Sequence, residues 1–215
     1  MSNPETAPSV GIIDYGMGNL RSVFKAFTRL GVNVEICQDG HDLAHFTRLV
    51  LPGVGAFRDG MQNLASAGFI DPLEKQVLSH RVPILGICLG MELLARSSTE
   101  GGDITGLGWI DAHVDRLPNK PSIRVPHVGW NDVQHSSAGG LLDGISNGAT
   151  FYFNHSYCVR AADEGLVTGT CTHGEPFAAV VSSGPIMGCQ FHPEKSQDAG
   201  RRLLLNFVYG GTDEC

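Results

Sequence analysis

The 215-residue sequence has no apolar run approaching the roughly 20 residues that a membrane-spanning helix needs. Its opening, Met1 to Pro8, lacks the basic-then-apolar order of a secretion signal, so the expectation is a soluble, cytoplasmic protein. Basic residues are scarce and dispersed: 15 Lys and Arg against 22 Asp and Glu give a formal charge of −7. No Lys/Arg stripe exists that could release counterions from a phosphate backbone, which argues against nucleic acid as a partner. There is no CxxC pair among the six cysteines, at 37, 88, 158, 171, 189 and 215, so reduced thiols are expected rather than a disulfide framework or a zinc knuckle. His41 and His45 lie one helical turn apart without a carboxylate or thiol to complete a metal site, and no metal or cofactor is expected. Internal repeats, low-complexity blocks and linkers are also lacking.

What is present is alternation. Val10 to Asp14 reads as a strand, Leu20, Val23, Phe24, Phe27 and Leu30 recur at helical spacing, and Gly31 supplies a stop. Val32 to Cys37 and Arg48 to Leu51 follow as strands. Helices are expected around 60–67 and 71–80, then an apolar strand from Val82 to Ile87 and a helix from Leu89. Such alternation predicts an α/β fold with a mostly parallel central sheet flanked by helices. From about Gly106 the texture changes to strand-like runs at 109–114, 122–133, 150–159, 165–172, 177–181 and 186–191, predicting antiparallel strands in the C-terminal half. Ala199 to Tyr209 closes the chain as an amphipathic helix. The expected organisation is a tail at 1–9, one domain at 10–210 and a short tail at 211–215.

One cysteine stands apart. Cys88, in Gly86-Ile-Cys-Leu-Gly90, lies where an apolar strand should turn into a helix. G-x-C-x-G at that junction is the thiol relative of the G-x-S-x-G nucleophile elbow. The glycines permit a strained turn and close backbone approach. The helix N-terminus should lower the thiol pKa, and the Leu89 N–H can donate to an oxyanion. A buried core cysteine is the commoner alternative, but it leaves the paired glycines unexplained. The stretch Phe191-His192-Pro193-Glu194 offers a base. In extended backbone, residues two apart point the same way, so the Glu194 carboxylate can orient one nitrogen of His192 while the other faces the thiol. A surface His-Pro-Glu turn is the bland alternative.

These residues resemble those of the class I glutamine amidotransferases, in which a Cys-His-Glu triad hydrolyses glutamine. Ile12 to Leu20 (IIDYGMGNL), Leu51 to Phe57 (LPGVGAF), Val125 to Asn131 (VPHVGWN) and Gln190 to Ser196 (QFHPEKS) are similar to segments of the glutaminase subunits of imidazole glycerol phosphate synthase in histidine biosynthesis. The resemblance spans about 10–209. It implies the class I glutamine amidotransferase (flavodoxin-like) fold, with Cys88, His192 and Glu194 as the triad. It also implies an oxyanion hole from Leu89 and the Gly53-Val54-Gly55 loop, whose peptide must reorient before it donates. Glu92, Glu100, Ser156 and Tyr157 match positions that bind glutamine. Asn19, Trp130, Tyr152 and Lys195 match positions facing the partner, a cyclase/synthase (β/α)8-barrel subunit that would complete a heterodimer and receive the ammonia.

Two positions depart from the family pattern. Glu92 stands where Gln is usual, which admits an ordinary place on the helix surface, and Asn154 stands where an apolar residue is usual, suggesting a small change at the interface. They leave open a paralogue supplying ammonia to a synthase-like partner in surface-polysaccharide amino-sugar synthesis. A remoter alternative is a dinucleotide-binding module, since GMGNLR follows the first strand and Asp39 ends the second. However, Arg21 replaces the third glycine, and the cysteine elbow would have no role. A cysteine peptidase on the same fold would keep Cys88 and His192 without needing the segments around Val54 and Trp130.

Overall fold

The computed structural model describes residues 7–118, 120, 123–136 and 139–210. The alternation folds as a seven-stranded sheet. Its first four strands are β1 (Ser9–Ile13), β2 (Asn33–Cys37), β3 (Arg48–Gly53) and β4 (Ile84–Cys88). Between them run α1 (Leu20–Arg29), α2 (Phe57–Ser66) and α3 (Ile70–Glu74), the last continuing as a π-helical turn over Lys75–Ser79. Ser9 pairs with Asn33, so β1 begins inside the stretch read as a tail; residues 1–6 and 211–215 lie outside the described residues.

After β4 the chain makes one short helix, α4 (Leu89–Leu93), then β5 (Ala95–Ser98), β6 (Ile104–Thr105) and β7 (Ile110–Arg116). A hairpin of β8 (His127–Val133) and β9 (Ala149–His155) comes next, then β10 (Tyr157–Ala161), β11 (Val167–Thr172), β12 (Pro176–Ser183), β13 (Ile186–Cys189) and α5 (Gln197–Tyr209). The main sheet runs β11-β12-β13-β4-β3-β1-β2. β13, β4, β3, β1 and β2 are parallel, and β12 and β11 extend the edge antiparallel. A second sheet, β10-β7-β5-β6, packs beside it.

The period of two explains how the sheet is buried on both faces. In β3, Val50 packs into a core with Phe27, Leu203 and Phe207 from α1 and α5, whereas Leu49 and Leu51 face a second core with Leu64, Leu73 and Leu93 from the other helices.

Two expectations from the sequence change here. The helix from Leu89 is only five residues long, because Ala95 to Ser98 peel away as β5 to pair with β7. The run 150–159, read as one strand, is two strands in different sheets: β9 pairs with β8, β10 pairs with β7, and Ser156 is the joint. Alternation continues through such a joint, so periodicity does not reveal it.

Candidate active site

The site lies beyond the carboxyl ends of β3, β4 and β13, where parallel sheets of this kind hold their ligands. Cys88 is both the last residue of β4 and the residue capping α4, with φ 55° and ψ −113°. A non-glycine residue at positive φ is strained, and such strain concentrates at functional sites. The flanking glycines are fixed by contact. A Cβ on Gly90 would lie 1.7 Å from the Leu51 carbonyl oxygen, and one on Gly86 2.7 Å from the backbone of Gly90 and Met91. Gly53 pairs with Cys88 across the sheet, and a Cβ there would meet Tyr15 Oη at 2.6 Å and the Gly90 nitrogen at 2.8 Å. Gly53, where the 53–55 loop begins, is therefore packed directly against the elbow.

His192 follows β13. Its Nδ1 donates to Glu194 Oε1 at 2.9 Å, with both side chains almost fully buried. Its Nε2 is buried and has no hydrogen-bond partner among the described residues, the Cys88 thiol included. Both residues are instead anchored to β9: Cys88 Sγ lies 3.9 Å from the Asn154 carbonyl, and the His192 N–H donates to the Tyr152 carbonyl at 2.9 Å. Carbonyls two apart on one strand point the same way, about 7 Å from each other, so one strand holds the Cys88 thiol and the His192 backbone on a common side. The Glu194 residue sits on a 3₁₀ turn, Pro193–Lys195, with Pro193 at its first position.

A cleft of about 270 Å³ opens at Cys88, lined by Val54, Gly55, Leu89, Glu92, Glu100, Pro126, Asn154, His155, Ser156 and Tyr157. It suits a small polar molecule. All four positions expected to bind glutamine reach it. Glu92 is not on the helix surface: it is 5% exposed, and its Oε1 accepts a hydrogen bond from Gln190 Nε2 at 2.8 Å. Asn154 also lines the cleft rather than marking only an outer face. Glu100 has a second attachment, because its Oε2 accepts from the Phe57 N–H at 2.7 Å and so caps α2, whose own capping position, Ala56, has no side-chain acceptor.

The electrostatics differ from the sequence expectation. Burial pushes the Cys88 thiol well above its ordinary value, Glu92 pushes it further, and the bond from the Leu89 backbone only partly offsets them. A one-turn helix does not outweigh desolvation here. Burial likewise raises Glu92 to about 8, against the lowering effect of Gln190. Tyr15 is raised chiefly by burial, with Cys88 and Glu92 adding. At neutral pH the resting site thus holds a protonated thiol and, for the most part, a protonated Glu92.

The four positions expected at a partner behave differently from one another. Asn19 caps α1, accepting from the Ser22 N–H at 3.3 Å. Trp130 and Tyr152 are a cross-strand pair on β8 and β9, in edge contact at 6.1 Å, and the Lys195 ammonium lies 5.6 Å from the Tyr152 ring centre. Trp130 is 48% exposed and Val128, on the same face of β8, is 56% exposed, so Trp130 is not a core aromatic. Sequence reasoning missed His127, His155 and Pro126; histidines in a β-hairpin carry no spacing that marks them. Among the described residues no group of His, Cys, Asp and Glu is arranged to hold a metal, and no helix is long and apolar enough to cross a membrane.

The family model described as glutamine amidotransferase class-I matches residues 11–210. The chain belongs to the class-I glutamine amidotransferases. Within them, this amidotransferase is 46% identical to imidazole glycerol phosphate synthase subunit HisH of Moorella thermoacetica, over 92% of this chain and 93% of the relative. It is 46% identical to subunit HisH of Rhodopirellula baltica over 93% and 96%, and 43% identical to subunit HisH 1 of a Campylobacter jejuni strain over 93% and 98%. It therefore belongs with the HisH subunits, which does not favour the dinucleotide-binding alternative. Among solved structures, a glutamine amidotransferase superposes with a TM-score of 0.72 at 22% identity, covering 92% of this chain and 98% of that one. PurLQS of Thermotoga maritima gives 0.72 at 16%, covering 94% and 98%. These two likenesses establish the shared fold.

Proposed function

We propose that this amidotransferase is the glutaminase subunit of an imidazole glycerol phosphate synthase, hydrolysing glutamine to glutamate and ammonia for a cyclase subunit with a (β/α)8 barrel. The observation that carries the reading is the strained Cys88 elbow beside a buried His192–Glu194 pair, both held by β9. His192 Nε2 takes the proton of the Cys88 thiol, and the sulfur attacks the side-chain amide carbon of glutamine. The oxyanion is held by the Leu89 N–H and the 53–55 loop. His192 then gives its proton to the departing nitrogen, leaving ammonia and a γ-glutamyl thioester. Water, deprotonated by the same imidazole, opens the thioester to glutamate and restores the thiol, while Glu194 keeps the ring oriented.

The raised thiol pKa supports a site that is slow alone. A partner covering Val54, Val128, Trp130, Tyr152 and Lys195 would exclude water at the mouth and rearrange the loop. It would also receive ammonia before it protonates to ammonium, which has no lone pair to react. The HisH relatives' names favour this reading over a paralogue serving amino-sugar synthesis.

The test is glutamate release by the purified chain, with and without a co-expressed barrel subunit and the barrel's own substrate. Release that rises steeply in the complex is expected. Equal release with and without the barrel would overturn the partner, and no release in either case would overturn the glutaminase.

A further inference from the structure

Outside the triad, two buried histidines are linked in a hydrogen-bonded chain at the joint between β9 and β10. His155 ends β9, is 5% exposed and lines the cleft. Its Nδ1 lies 2.7 Å from the Tyr157 carbonyl oxygen. A carbonyl only accepts, so this nitrogen carries the hydrogen. Burial, with His127, His173 and His192 nearby, holds the ring far below the ordinary histidine range, at about 3, so it is neutral and its Nε2 is bare. His127, its cross-strand partner and 4% exposed, lies with Nδ1 2.9 Å from that bare nitrogen and must donate to it. His127 is also neutral, lowered to about 4 by burial and His173, leaving its Nε2 to accept from Asn131 Nδ2 at 3.1 Å. That same amide donates to the Thr172 carbonyl at 3.0 Å. The hydrogens from Asn131 through His127 and His155 to Tyr157 all point one way, and each tautomer is set by its neighbour. His173 stacks on His127 at 4.1 Å with its own Nε2 2.8 Å from the Arg124 carbonyl, while Phe153 and Phe177 close the sides.

This chain ends where the protein leaves one sheet for another. Asn154, whose carbonyl faces Cys88 Sγ, lies just before the joint; Ser156 and Tyr157, which line the cleft, form and follow it. The β8–β9 ladder ends at His155 and the β7–β10 ladder begins at Tyr157, with the Leu117 N–H donating to the Ser156 carbonyl at 2.9 Å between them; the imidazole of His155, bonded two residues ahead, ties the end of one ladder to the start of the other. We propose that His155, oriented by His127, is a positioning residue for glutamine: by holding the Tyr157 carbonyl it fixes the 154–157 joint that forms one wall of the cleft. The inference rests on the glutaminase reading of that cleft.

The test compares two amides in the glutaminase–barrel complex. His155→Asn places an amide nitrogen near the Nδ1 position and keeps the donor to Tyr157; His155→Gln places it near Nε2 and loses that donor. His155→Gln is expected to raise KM for glutamine about tenfold with kcat changed less than about threefold, the signature of lost binding geometry. His155→Asn is expected to restore KM to within about threefold. Synthesis fed with ammonium salts checks that each variant is folded. Equal behaviour of the two variants, or a fall in kcat at constant KM, would overturn the proposal. Should the variants fail to fold, imidazole nitrogen NMR of the unaltered protein decides: hydrogens on Nδ1 of both His155 and His127 are expected, and a hydrogen on Nε2 of His155 would overturn it. Wild-type hydrolysis distinguishes the two failures, since its absence sinks the glutaminase reading itself.

Discussion

Glu92 lies one helical turn beyond Cys88, and the two side chains, 5% and 6% exposed, line the same cleft, where the Glu92 carboxylate raises the cost of ionising the Cys88 thiol. Among the described residues Gln190 alone hydrogen-bonds the carboxylate, through Oε1. The consequences are measurable with a single substitution.

The first concerns stability. An unfolded glutamate ionises near 4.5, whereas Glu92 in the fold holds its proton to about 8. Between those values only the unfolded chain releases the proton, so the contribution of Glu92 is complete below about pH 4.5 and is lost as pH rises through 8. Glu92→Gln removes this liability. At pH 8.5 the variant is expected to be more stable by on the order of 1–3 kcal/mol, or about 3–9 °C in Tm. At pH 4.5 the difference should vanish. Calorimetry at the two pH values checks both halves, and equal Tm at pH 8.5 would refute the assignment.

The second concerns the nucleophile. Ionised Glu92 opposes thiolate formation at Cys88, so Glu92→Gln should move the pH midpoint of iodoacetamide alkylation at residue 88 downward. Peptide mass spectrometry follows the reaction against the other cysteines. An unchanged or higher midpoint would show that the two groups are not coupled.

Third, the elbow tolerates no side chain at Gly90, where a Cβ would overlap the Leu51 carbonyl. Gly90→Ala is expected to abolish soluble folded protein. Gly31→Ala is a useful control, because Gly31 has φ +75° but open space around it, and should cost only about 1 kcal/mol. Soluble yield reads the Gly90 variant and urea unfolding the Gly31 variant; soluble, folded Gly90→Ala would contradict the overlap.

Fourth, Trp130→Ala and Lys195→Ala remove side chains from the surface around Tyr152. Since Trp130 is half exposed, each should change the stability of the isolated chain by less than about 0.5 kcal/mol. If the proposed barrel subunit docks here, Trp130→Ala should weaken its binding about tenfold or more, as loss of an aromatic anchor does at interfaces, and Lys195→Ala should weaken it in the same direction. Titration calorimetry reads the binding. Undiminished affinity would move the docking face elsewhere.

Much of this was legible in the sequence because the relevant signals are local. Apolar strands of β3 and β4, the helical spacing in α1 and the glycines around Cys88 each declare themselves within a few residues. So does the His192–Pro193–Glu194 spacing, although the 2.9 Å contact is made from a 3₁₀ turn and not from the extended backbone expected. What stayed hidden depends on distant packing. The joint at Ser156 divides a run whose alternation never breaks, and α4 ends early because β7 recruits Ala95 to Ser98. Burial of Glu92 under Gln190, the cap that Glu100 provides to α2, and the His127–His155 chain all join residues 28 to 98 positions apart. The rise in the Cys88 pKa has the same origin: helix polarity is visible in a motif, whereas desolvation belongs to the whole fold.

In the proposed reaction the sulfur of Cys88 is the atom that takes the acyl group from glutamine. The most direct measurement is synthesis by the complex of Cys88→Ala with its barrel subunit, fed in parallel with glutamine and with ammonium salts. Glutamine-dependent synthesis should disappear while ammonium-dependent synthesis continues at the wild-type rate. Retained synthesis from glutamine would contradict the assignment of the nucleophile, and loss of both would contradict the division of labour between the two subunits.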